Sequence, residues 1–356
     1  MTKSDWTEEL ALLGWSDHFQ QQLEAGEAPA RVGAEHRGRW TRLVLDGEPE
    51  WLEACGALRR APPDAWPAVG DWVVLDAQRR IRRVLARRTH LVRQAAGART
   101  AAQVVAANVD VVYVVTSANL DLNPRRVERY LAVIHGGGAR PALVVNKADL
   151  ADGPERDAFV SALAAVAPGV EILCTSALTG DGLEALRAGV GPGQTAALVG
   201  SSGVGKSTLV NALLGAARQA TAGVRSWDDR GRHTTTHREL FALPGGGLLL
   251  DTPGMRLLRL WDDDGALDAT FADVEERAAR CRFHDCRHDS EPGCAVAAAL
   301  ADGELPSERL QSWRKLQREL RWLAGKQDVR IRIEEAARWR VLHRSLRLHP
   351  KYRPRG

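Results

Sequence analysis

Residues 195–215 read TAALVGSSGVGKSTLVNALLG, the pattern of a strand, a glycine-rich loop and a helix in succession. The loop, residues 200–207, matches G-x-x-x-x-G-K-[ST] at every fixed position. Its glycines let backbone N–H groups turn toward phosphate oxygens, and the following helix adds the positive end of its dipole. The stretch therefore predicts a phosphate-binding loop, in which Lys206 reaches the β- and γ-phosphates and Ser207 ligates Mg²⁺.

The expected nucleotide contacts cover this loop and the two helical residues after Lys206. They are Gly200, Ser201, Ser202, Gly203, Val204, Gly205, Lys206, Ser207 and Thr208. Lys206 is also a predicted catalytic residue, because its charge would face the phosphoryl group that is transferred.

A second stretch, LVVNKADL at residues 143–150, predicts which base is bound. The carboxylate of Asp149 can accept both the N1–H and the N2–H₂ donors of guanine, a donor pair that adenine lacks. We expect Asn146 to tie this loop to the phosphate loop and Lys147 to lie along the base. After another strand, TSA at residues 175–177 can offer a backbone N–H to the guanine oxygen. The predicted base-binding set is Asn146, Lys147, Ala148, Asp149, Ser176 and Ala177.

Two stretches after the phosphate loop carry the features expected of Mg²⁺ and γ-phosphate contacts. DTPG, residues 251–254, follows an apolar run; Asp251 suits an outer-sphere contact to Mg²⁺, and Gly254 suits a contact that senses the γ-phosphate. GRHTTTH, residues 231–237, offers three adjacent threonines, of which Thr235 is the one we expect to close over Mg²⁺.

The residue after DTPG is Met255, which cannot orient a water molecule as a glutamine does at this position in many GTPases. This predicts slow intrinsic hydrolysis that a partner accelerates. His233, beside the threonines, is the best local candidate to position the water. The alternative is that His233 only packs against or caps a loop.

A cysteine and histidine cluster predicts a metal site near the C-terminal end of the chain. Cys281, Cys286, His288 and Cys294 form C-x₄-C-x-H-x₅-C. Three thiolates and one imidazole suit tetrahedral Zn²⁺, and four protein ligands leave no open position, so the site should be structural. His284 is a rival ligand, two residues before Cys286.

The patterning along the chain predicts an α/β protein of several domains. Residues 31–93 contain short runs rich in strand-forming residues, separated by turns, which fits a small β-barrel. From about residue 97 strands and helices alternate, which indicates a mostly parallel sheet covered on both faces. Beyond about residue 263 the pattern is helical. The predicted divisions are 1–30, an extension; 31–96, the barrel; 97–262, the nucleotide-binding domain; and 263–356, a zinc-binding helical domain with a basic end.

Charge is distributed unevenly although the net charge is only +4. Residues 314–356 hold 14 Lys or Arg against 4 Asp or Glu, and residues 31–93 hold 13 against 8. Basic regions on either side of a mildly acidic middle predict a polyanionic partner, most simply nucleic acid; a solvated arginine-rich surface is the alternative. No apolar run reaches the ~18 residues of a membrane span, and the first residues do not read as a secretory signal, so we expect a cytoplasmic monomer with no membrane partner.

The motifs GSSGVGKST, GRHTTT, DTPG and C-x₄-C-x-H-x₅-C together resemble those of the ribosome small-subunit-dependent GTPase A family. Relative to translation-factor-type GTPases the five nucleotide-binding motifs run fourth, fifth, first, second, third, which is a circular permutation. The resemblance implies an N-terminal OB-type β-barrel, a circularly permuted P-loop GTPase domain and a C-terminal helical zinc-binding domain. It also implies GTP hydrolysis to GDP stimulated by the small (30S) ribosomal subunit in late subunit maturation, with the barrel meeting 16S rRNA, and one structural Zn²⁺ besides the Mg²⁺ that accompanies GTP.

Two other functions are compatible with the residues. In the first, the chain is an RNA-binding module whose GTP site is a sensor with little hydrolysis, and Met255 favours it. In the second, the chain is an ATP-using P-loop enzyme, which Asp149 disfavours.

Overall fold

The structure is a computed structural model that describes most of the chain. The described residues are 3–36, 38–45, 47–62, 65–94, 102–118, 122–215, 238–251, 265–289 and 291–327. His233, Thr235, Gly254 and Met255 lie outside them.

The described residues form strands and helices in alternation along the middle of the chain. The strands are β1 (Ala28–His36), β2 (Arg39–Arg42), β3 (Glu50–Leu52), β4 (Trp72–Leu75), β5 (Ile81–Val84), β6 (His90–Gln94), β7 (Ala102–Ala107), β8 (Val111–Ser117), β9 (Arg140–Asn146), β10 (Ile172–Cys174), β11 (Thr195–Gly200), β12 (Arg238–Ala242) and β13 (Leu248–Asp251). The helices are α1 (Lys3–Leu12), α2 (Asp17–Gln20), α3 (Gly56–Arg59), α4 (Pro124–Gly136), α5 (Gly153–Val166), α6 (Leu183–Ala188), α7 (Lys206–Leu214), α8 (Gly265–Thr270), α9 (Ala272–Ala278), α10 (Ala295–Ala301) and α11 (Ser307–Gln327).

The nucleotide-binding part is built on a mostly parallel sheet, which confirms the predicted fold class. Its strands lie in the order β10-β9-β8-β11-β13-β12, and every neighbouring pair is parallel except β13 with β12. In β8, Val112 and Val114 pack into one apolar cluster and Val111 and Val115 into another. Helices cover both faces of the sheet, and this explains why the sequence of β8 is apolar without alternation.

The N-terminal strands form the predicted OB-type barrel. β1 pairs with β2 and β4, β2 pairs with β3, and β4 pairs with β5. A parallel bridge between Ala54 and Ile81 closes the ring between the β3 and β5 sides. Trp40 and Val73 lie in its core and are at most 2% exposed. Within the region where the sequence predicts short strands, residues 56–59 instead form the short helix α3, which lies against β5.

Strand β1 belongs to the barrel and to the large sheet at once, which the sequence did not predict. Its residues Ala34 and Glu35 pair in antiparallel register with Glu239 and Arg238 of β12. An ion pair with an N···O distance of 3.0 Å joins the side chains of Glu35 and Arg238. The barrel and the nucleotide-binding sheet are therefore hydrogen-bonded into one continuous sheet, and the predicted domain boundaries stay predictions.

The last described part of the chain is helical, as predicted. α8 and α9 precede the cysteine cluster, and α10 and α11 follow it. Leu310, Trp313 and Leu316 of α11 are buried, each at most 6% exposed. Among the helices that the structure describes, none combines the length and apolar character needed to cross a bilayer.

A buried arginine joins the N-terminal extension, the barrel and the sheet. Arg31 of β1 is 2% exposed, and its guanidinium lies 5.8 Å from the ring centre of Trp72. Its N–H groups donate to the carbonyls of Leu13, Gly70 and Asn108 and to the hydroxyl of Thr195, the last at 2.8 Å. Burial lowers the pKa of Arg31 to about 10, which still leaves the side chain charged at neutral pH. One cation thus satisfies acceptors from four separate segments.

We expect Arg31→Met to destabilise the protein by about 3 kcal/mol, because the side chain would fill the space but leave buried oxygens without donors. The measurement is the midpoint of urea unfolding followed by tryptophan fluorescence. The control is Arg39→Met, since the Arg39 side chain is 58% exposed and its removal should cost less than about 1 kcal/mol. Equal midpoints for the two variants would contradict the role given to Arg31.

Candidate functional site

The predicted nucleotide-binding residues meet at one edge of the sheet. Parallel strands β9, β10, β11 and β13 all end there, at Asn146, Cys174, Gly200 and Asp251. Since the carboxyl ends of neighbouring parallel strands form a crevice, loops that are far apart in the chain become neighbours. The reversed order of the motifs therefore does not separate them in space.

The side chain of Asn146 joins three of these loops. Asn146 is 1% exposed, and its amide Nδ2 donates to the Val204 carbonyl in the phosphate loop at 2.8 Å. Its Oδ1 accepts from the Ala177 N–H at 3.2 Å and lies 3.5 Å from the Thr175 hydroxyl. The TSA stretch is expected to offer a backbone N–H to the guanine oxygen, and in this structure the N–H of its last residue, Ala177, donates to Asn146. The amide holds the loops after β9, β10 and β11 at fixed separation.

Gly205 has to be glycine because of this contact. Its φ is +94°, and a Cβ at this position would lie 2.3 Å from Asn146 Nδ2. Any side chain here would push Asn146 away from the phosphate loop. The loop pattern and the Asn146 contact are therefore one steric requirement.

Lys147 lies across the phosphate loop. Its backbone adopts the left-handed region with φ +58°, and its Nζ donates to the Gly203 carbonyl at 2.8 Å. A non-glycine residue adopts this conformation only where its surroundings compensate the strain. The lysine stem therefore spans from the loop after β9 to the phosphate loop.

Asp149 lies two residues after Lys147, in the same loop after β9. It belongs to a single 3₁₀ turn, Ala148–Leu150, and it is exposed. The Ala148 N–H donates to the Thr175 carbonyl at 3.0 Å, which connects this turn to the loop after β10. In that loop Ser176 is fully buried, and its hydroxyl accepts from the Thr179 N–H at 3.1 Å. Ser176 therefore shapes the loop from within.

The side chain of Lys206 folds back onto the start of the phosphate loop. Nζ of Lys206 donates to the Gly200 carbonyl at 2.8 Å and to the Ser201 carbonyl. Ser207 and Thr208 are exposed at the first turn of α7, where helical N–H groups have no intrahelical acceptor. This geometry gives one cation and several backbone donors at the start of a helix, which is an anion-binding arrangement.

Arg126 also contacts the phosphate loop, which sequence reasoning missed. It lies in the first turn of α4, and its Nη1 donates to the Ser201 hydroxyl. The signal was the basic pair after Pro124, since α4 begins beyond β8, whose carboxyl end lies at the same edge as the phosphate loop. Asp251, at the end of β13, is half-buried beside β11, and the described chain stops there before resuming at residue 265.

The predicted metal ligands are brought together in the C-terminal lobe. The donor atoms of Cys281, Cys286, His288 and Cys294 all lie within 4.8 Å of one another. His288 Nδ1 is 3.6 Å from the sulfurs of Cys281 and Cys294, and these two sulfurs are 3.9 Å apart. A tetrahedral site with bonds of about 2.1 Å to nitrogen and about 2.3 Å to sulfur requires separations of about 3.6 Å and about 3.8 Å. The cluster is compatible with one zinc ion, and the rival His284 is exposed.

The environment of His288 favours its use as a ligand. Burial lowers the pKa of His288, so the imidazole is neutral at physiological pH, as metal binding requires. The His288 ring lies 5.7 Å from that of Trp313, and its carbonyl accepts from Arg314 at 2.8 Å. Both partners belong to α11. The long helix α11 therefore holds both the ring and the backbone of His288 in position.

The chain is similar over most of its length to characterised proteins. A family model described as RsgA GTPase matches residues 84–261. A protein of Opitutus terrae named "Small ribosomal subunit biogenesis GTPase RsgA" is 44% identical over 95% of this chain and 97% of its own. A protein of Streptomyces coelicolor with the same name is 45% identical over 90% of this chain and 88% of its own.

Solved structures show the same architecture. YjeQ from Thermotoga maritima is 28% identical, with a TM-score of 0.61 over 83% of this chain and 98% of that one. YloQ, described as a circularly permuted GTPase, is 23% identical with a TM-score of 0.60 over 86% of this chain and 97% of that one, and it supports the fold alone. With its matching family model, its long alignments above 40% identity and its permuted order of site loops, this chain belongs to the RsgA GTPase family and is a GTP hydrolase.

Proposed function

We propose that this GTPase binds GTP with Mg²⁺ at the edge of the sheet described above and acts on the small ribosomal subunit during its biogenesis. The observation that carries the proposal is the set of contacts from Asn146 and Lys147 to the phosphate loop. These contacts connect the loop that carries Asp149, the proposed guanine-binding carboxylate, to the phosphate loop, and they support a single nucleotide pocket. The partner is proposed from the names of the relatives, which are small ribosomal subunit biogenesis GTPases.

The proposed roles follow from chemistry and position. Asp149 accepts from the guanine edge, and the stem of Lys147 covers the base. Lys206 would exchange the carbonyls it now contacts for phosphate oxygens. Mg²⁺ would neutralise charge on the β- and γ-phosphates, held by Ser207, by Asp251 in the outer sphere and by Thr235.

Hydrolysis is proposed to depend on the partner. Met255 offers no hydrogen bond to the attacking water, so the chain lacks the usual orienting side chain at that position. We propose His233 as the group that positions the water once the subunit is bound. Product formation would then be coupled to release of the protein from the subunit, and the site of action would be the cytoplasm.

The barrel surface supports contact with RNA, for which we propose the 16S rRNA of the 30S subunit. Trp51 of β3 is 51% exposed, and the guanidinium of Arg39 lies 5.1 Å from its ring centre. His36 packs against the same ring at 5.5 Å. An exposed aromatic face beside a cation can stack on an unpaired base while the cation pairs with phosphate.

The test of the proposed function is GTP turnover with and without purified small ribosomal subunits. We expect slow turnover alone and stimulation of about 10²-fold or more with subunits, because the partner completes a site that lacks an orienting side chain. His233→Ala should lose the stimulated rate and keep GTP affinity. No stimulation would favour an RNA-binding module in which GTP is sensed with little hydrolysis.

Asp149→Asn should move the base preference from guanine toward xanthine nucleotides. An amide presents a donor where the carboxylate accepts, and the 2-oxo group of xanthine can accept from it. The measurement is the ratio of the Kd values of GDP and XDP, with an expected change of about 10²-fold or more. Asp157→Asn, on the exposed side of α5, is the matched control. A variant at position 149 that kept the guanine preference would refute the base-reading role.

The metal is proposed to be a single structural Zn²⁺, because three thiolates and an imidazole are its preferred ligands. His288→Ala should reduce zinc from about one per chain to well below half and lower the unfolding temperature of the C-terminal lobe. Elemental analysis of protein purified without added metal measures the first quantity, and calorimetry the second. His284→Ala, at the exposed rival position, should retain both; zinc loss there instead would reassign the ligand.

A further inference from the structure

Helix α4 lies between the phosphate loop and the C-terminal lobe. Its first turn is fixed by Asn123, whose side chain accepts from the Arg126 N–H at 3.1 Å. From this turn the half-buried side chain of Arg126 reaches the Ser201 hydroxyl, directly after the end of β11. The Ser201 carbonyl accepts from Lys206. Two cations from different helices therefore hold the same residue of the phosphate loop.

The next residues of α4 bind the C-terminal lobe. Glu128 is 2% exposed, and its carboxylate accepts from Arg309 at 2.8 Å and from the Ser312 hydroxyl. Arg129 forms a two-pronged ion pair with Glu319, with N···O distances of 2.7 and 2.6 Å. These partners all belong to α11. This helix therefore docks on the part of α4 that directly follows Arg126.

The docking contact is strongly organised around Arg309. Its guanidinium also pairs with Asp273 at 2.9 Å, donates to the Thr270 carbonyl at 2.7 Å and lies 4.4 Å from the ring centre of Phe271. The pKa of Arg309 is raised by its hydrogen bonds to Asp273 and Glu128, against the effect of burial. Because these charges are buried, separating α11 from α4 would leave the Glu128 carboxylate without its partner, while Arg309 would keep its pair with Asp273. A buried ion pair therefore holds α11 against α4.

We propose that Arg126 is a positioning residue that favours the triphosphate over the diphosphate and couples nucleotide binding to the docking of α11. A guanidinium stays charged at all relevant pH values, and its interaction strengthens with the charge of the nucleotide in the phosphate loop. Movement of Ser201 on nucleotide binding is transmitted through Arg126 to the turn that carries Glu128 and Arg129. The coupling is reciprocal, so undocking α11 lowers the affinity for the triphosphate. The inference rests on the proposed nucleotide site.

The test uses the full chain with Arg126→Ala, Arg126→Lys and Ser201→Ala, and Arg125→Ala as the matched control. Arg125 lies one residue earlier on α4 and is exposed, and its contact to Gln311 of α11 is long, at 3.4 Å, and exposed, so its removal should leave the buried docking contacts of Glu128 in place. The first measurement is the ratio of the Kd values of GDP and the non-hydrolysable analogue GMPPNP. Arg126→Ala should reduce the preference for GMPPNP about tenfold, Arg126→Lys should restore part of it, and Arg125→Ala should leave it unchanged.

The second measurement is hydrogen exchange in residues 307–323 with and without GMPPNP. In the wild type the analogue should slow exchange, and in Arg126→Ala this response should disappear while the control keeps it. The double variant Arg126→Ala/Ser201→Ala should resemble Arg126→Ala alone, because each substitution removes the same hydrogen bond between Arg126 and Ser201. Ser201→Ala keeps the test decisive if the arginine variants fold poorly.

The outcomes separate this inference from the proposed function. If the wild type binds neither nucleotide, the proposed nucleotide site is wrong. If the wild type binds both and Arg126→Ala and Ser201→Ala retain the wild-type preference and the wild-type exchange response, the nucleotide site stands and the role of Arg126 is overturned.

Discussion

The nucleotide site depends on one buried amide, that of Asn146. It donates to the phosphate loop and accepts from the loop after β10, so it fixes the distance between the ends of the pocket. A buried amide without partners would be costly, which makes the contact hard to break once formed. The Asn146 side chain packs so closely on Gly205 that a Cβ at position 205 would clash with its amide. The permuted chain order is harmless for the same reason: the amide joins loops that are neighbours in the sheet, whatever their order along the chain.

A shared strand, β1, connects the barrel to the nucleotide-binding sheet. β1 completes the barrel through β2 and β4 and also pairs with β12. β12 is joined to β13, which ends at Asp251 beside the phosphate loop. Arg31, on the same strand, satisfies acceptors from the extension, the barrel and the start of β11. The barrel surface proposed to meet RNA is therefore continuous, through backbone hydrogen bonds, with the sheet that carries the proposed nucleotide site.

The C-terminal lobe is attached in a different way, through side chains. Arg309 and Glu128 form a buried ion pair between α11 and α4, and Arg314 and Trp313 of α11 support the metal-binding loop at His288. The long helix α11 thus contacts α4 of the nucleotide-binding domain on one side and the cysteine cluster on the other. Buried apolar residues of the described lobe, such as Phe271 and Trp313, belong to the same cluster as residues of α4, so docking and metal binding both contribute to the order of the lobe.

The sequence by itself predicted the local chemistry: the phosphate loop, the base-reading role of Asp149 and the four candidate metal ligands, since each depends on residue types at short, fixed spacing. It also indicated the barrel and the parallel sheet, because burial on one or two faces leaves a periodic signal. It did not reveal the pairing of β1 with β12, the burial of Arg31, or the positions of Arg126 and Arg309. They depend on contacts between residues that are far apart in the chain, such as Arg126 with Ser201, Arg309 with Glu128 and β1 with β12. A lone arginine in a charged chain has no local pattern that separates a buried partner from a solvated one. Only the tertiary structure decides which distant acceptor each guanidinium meets.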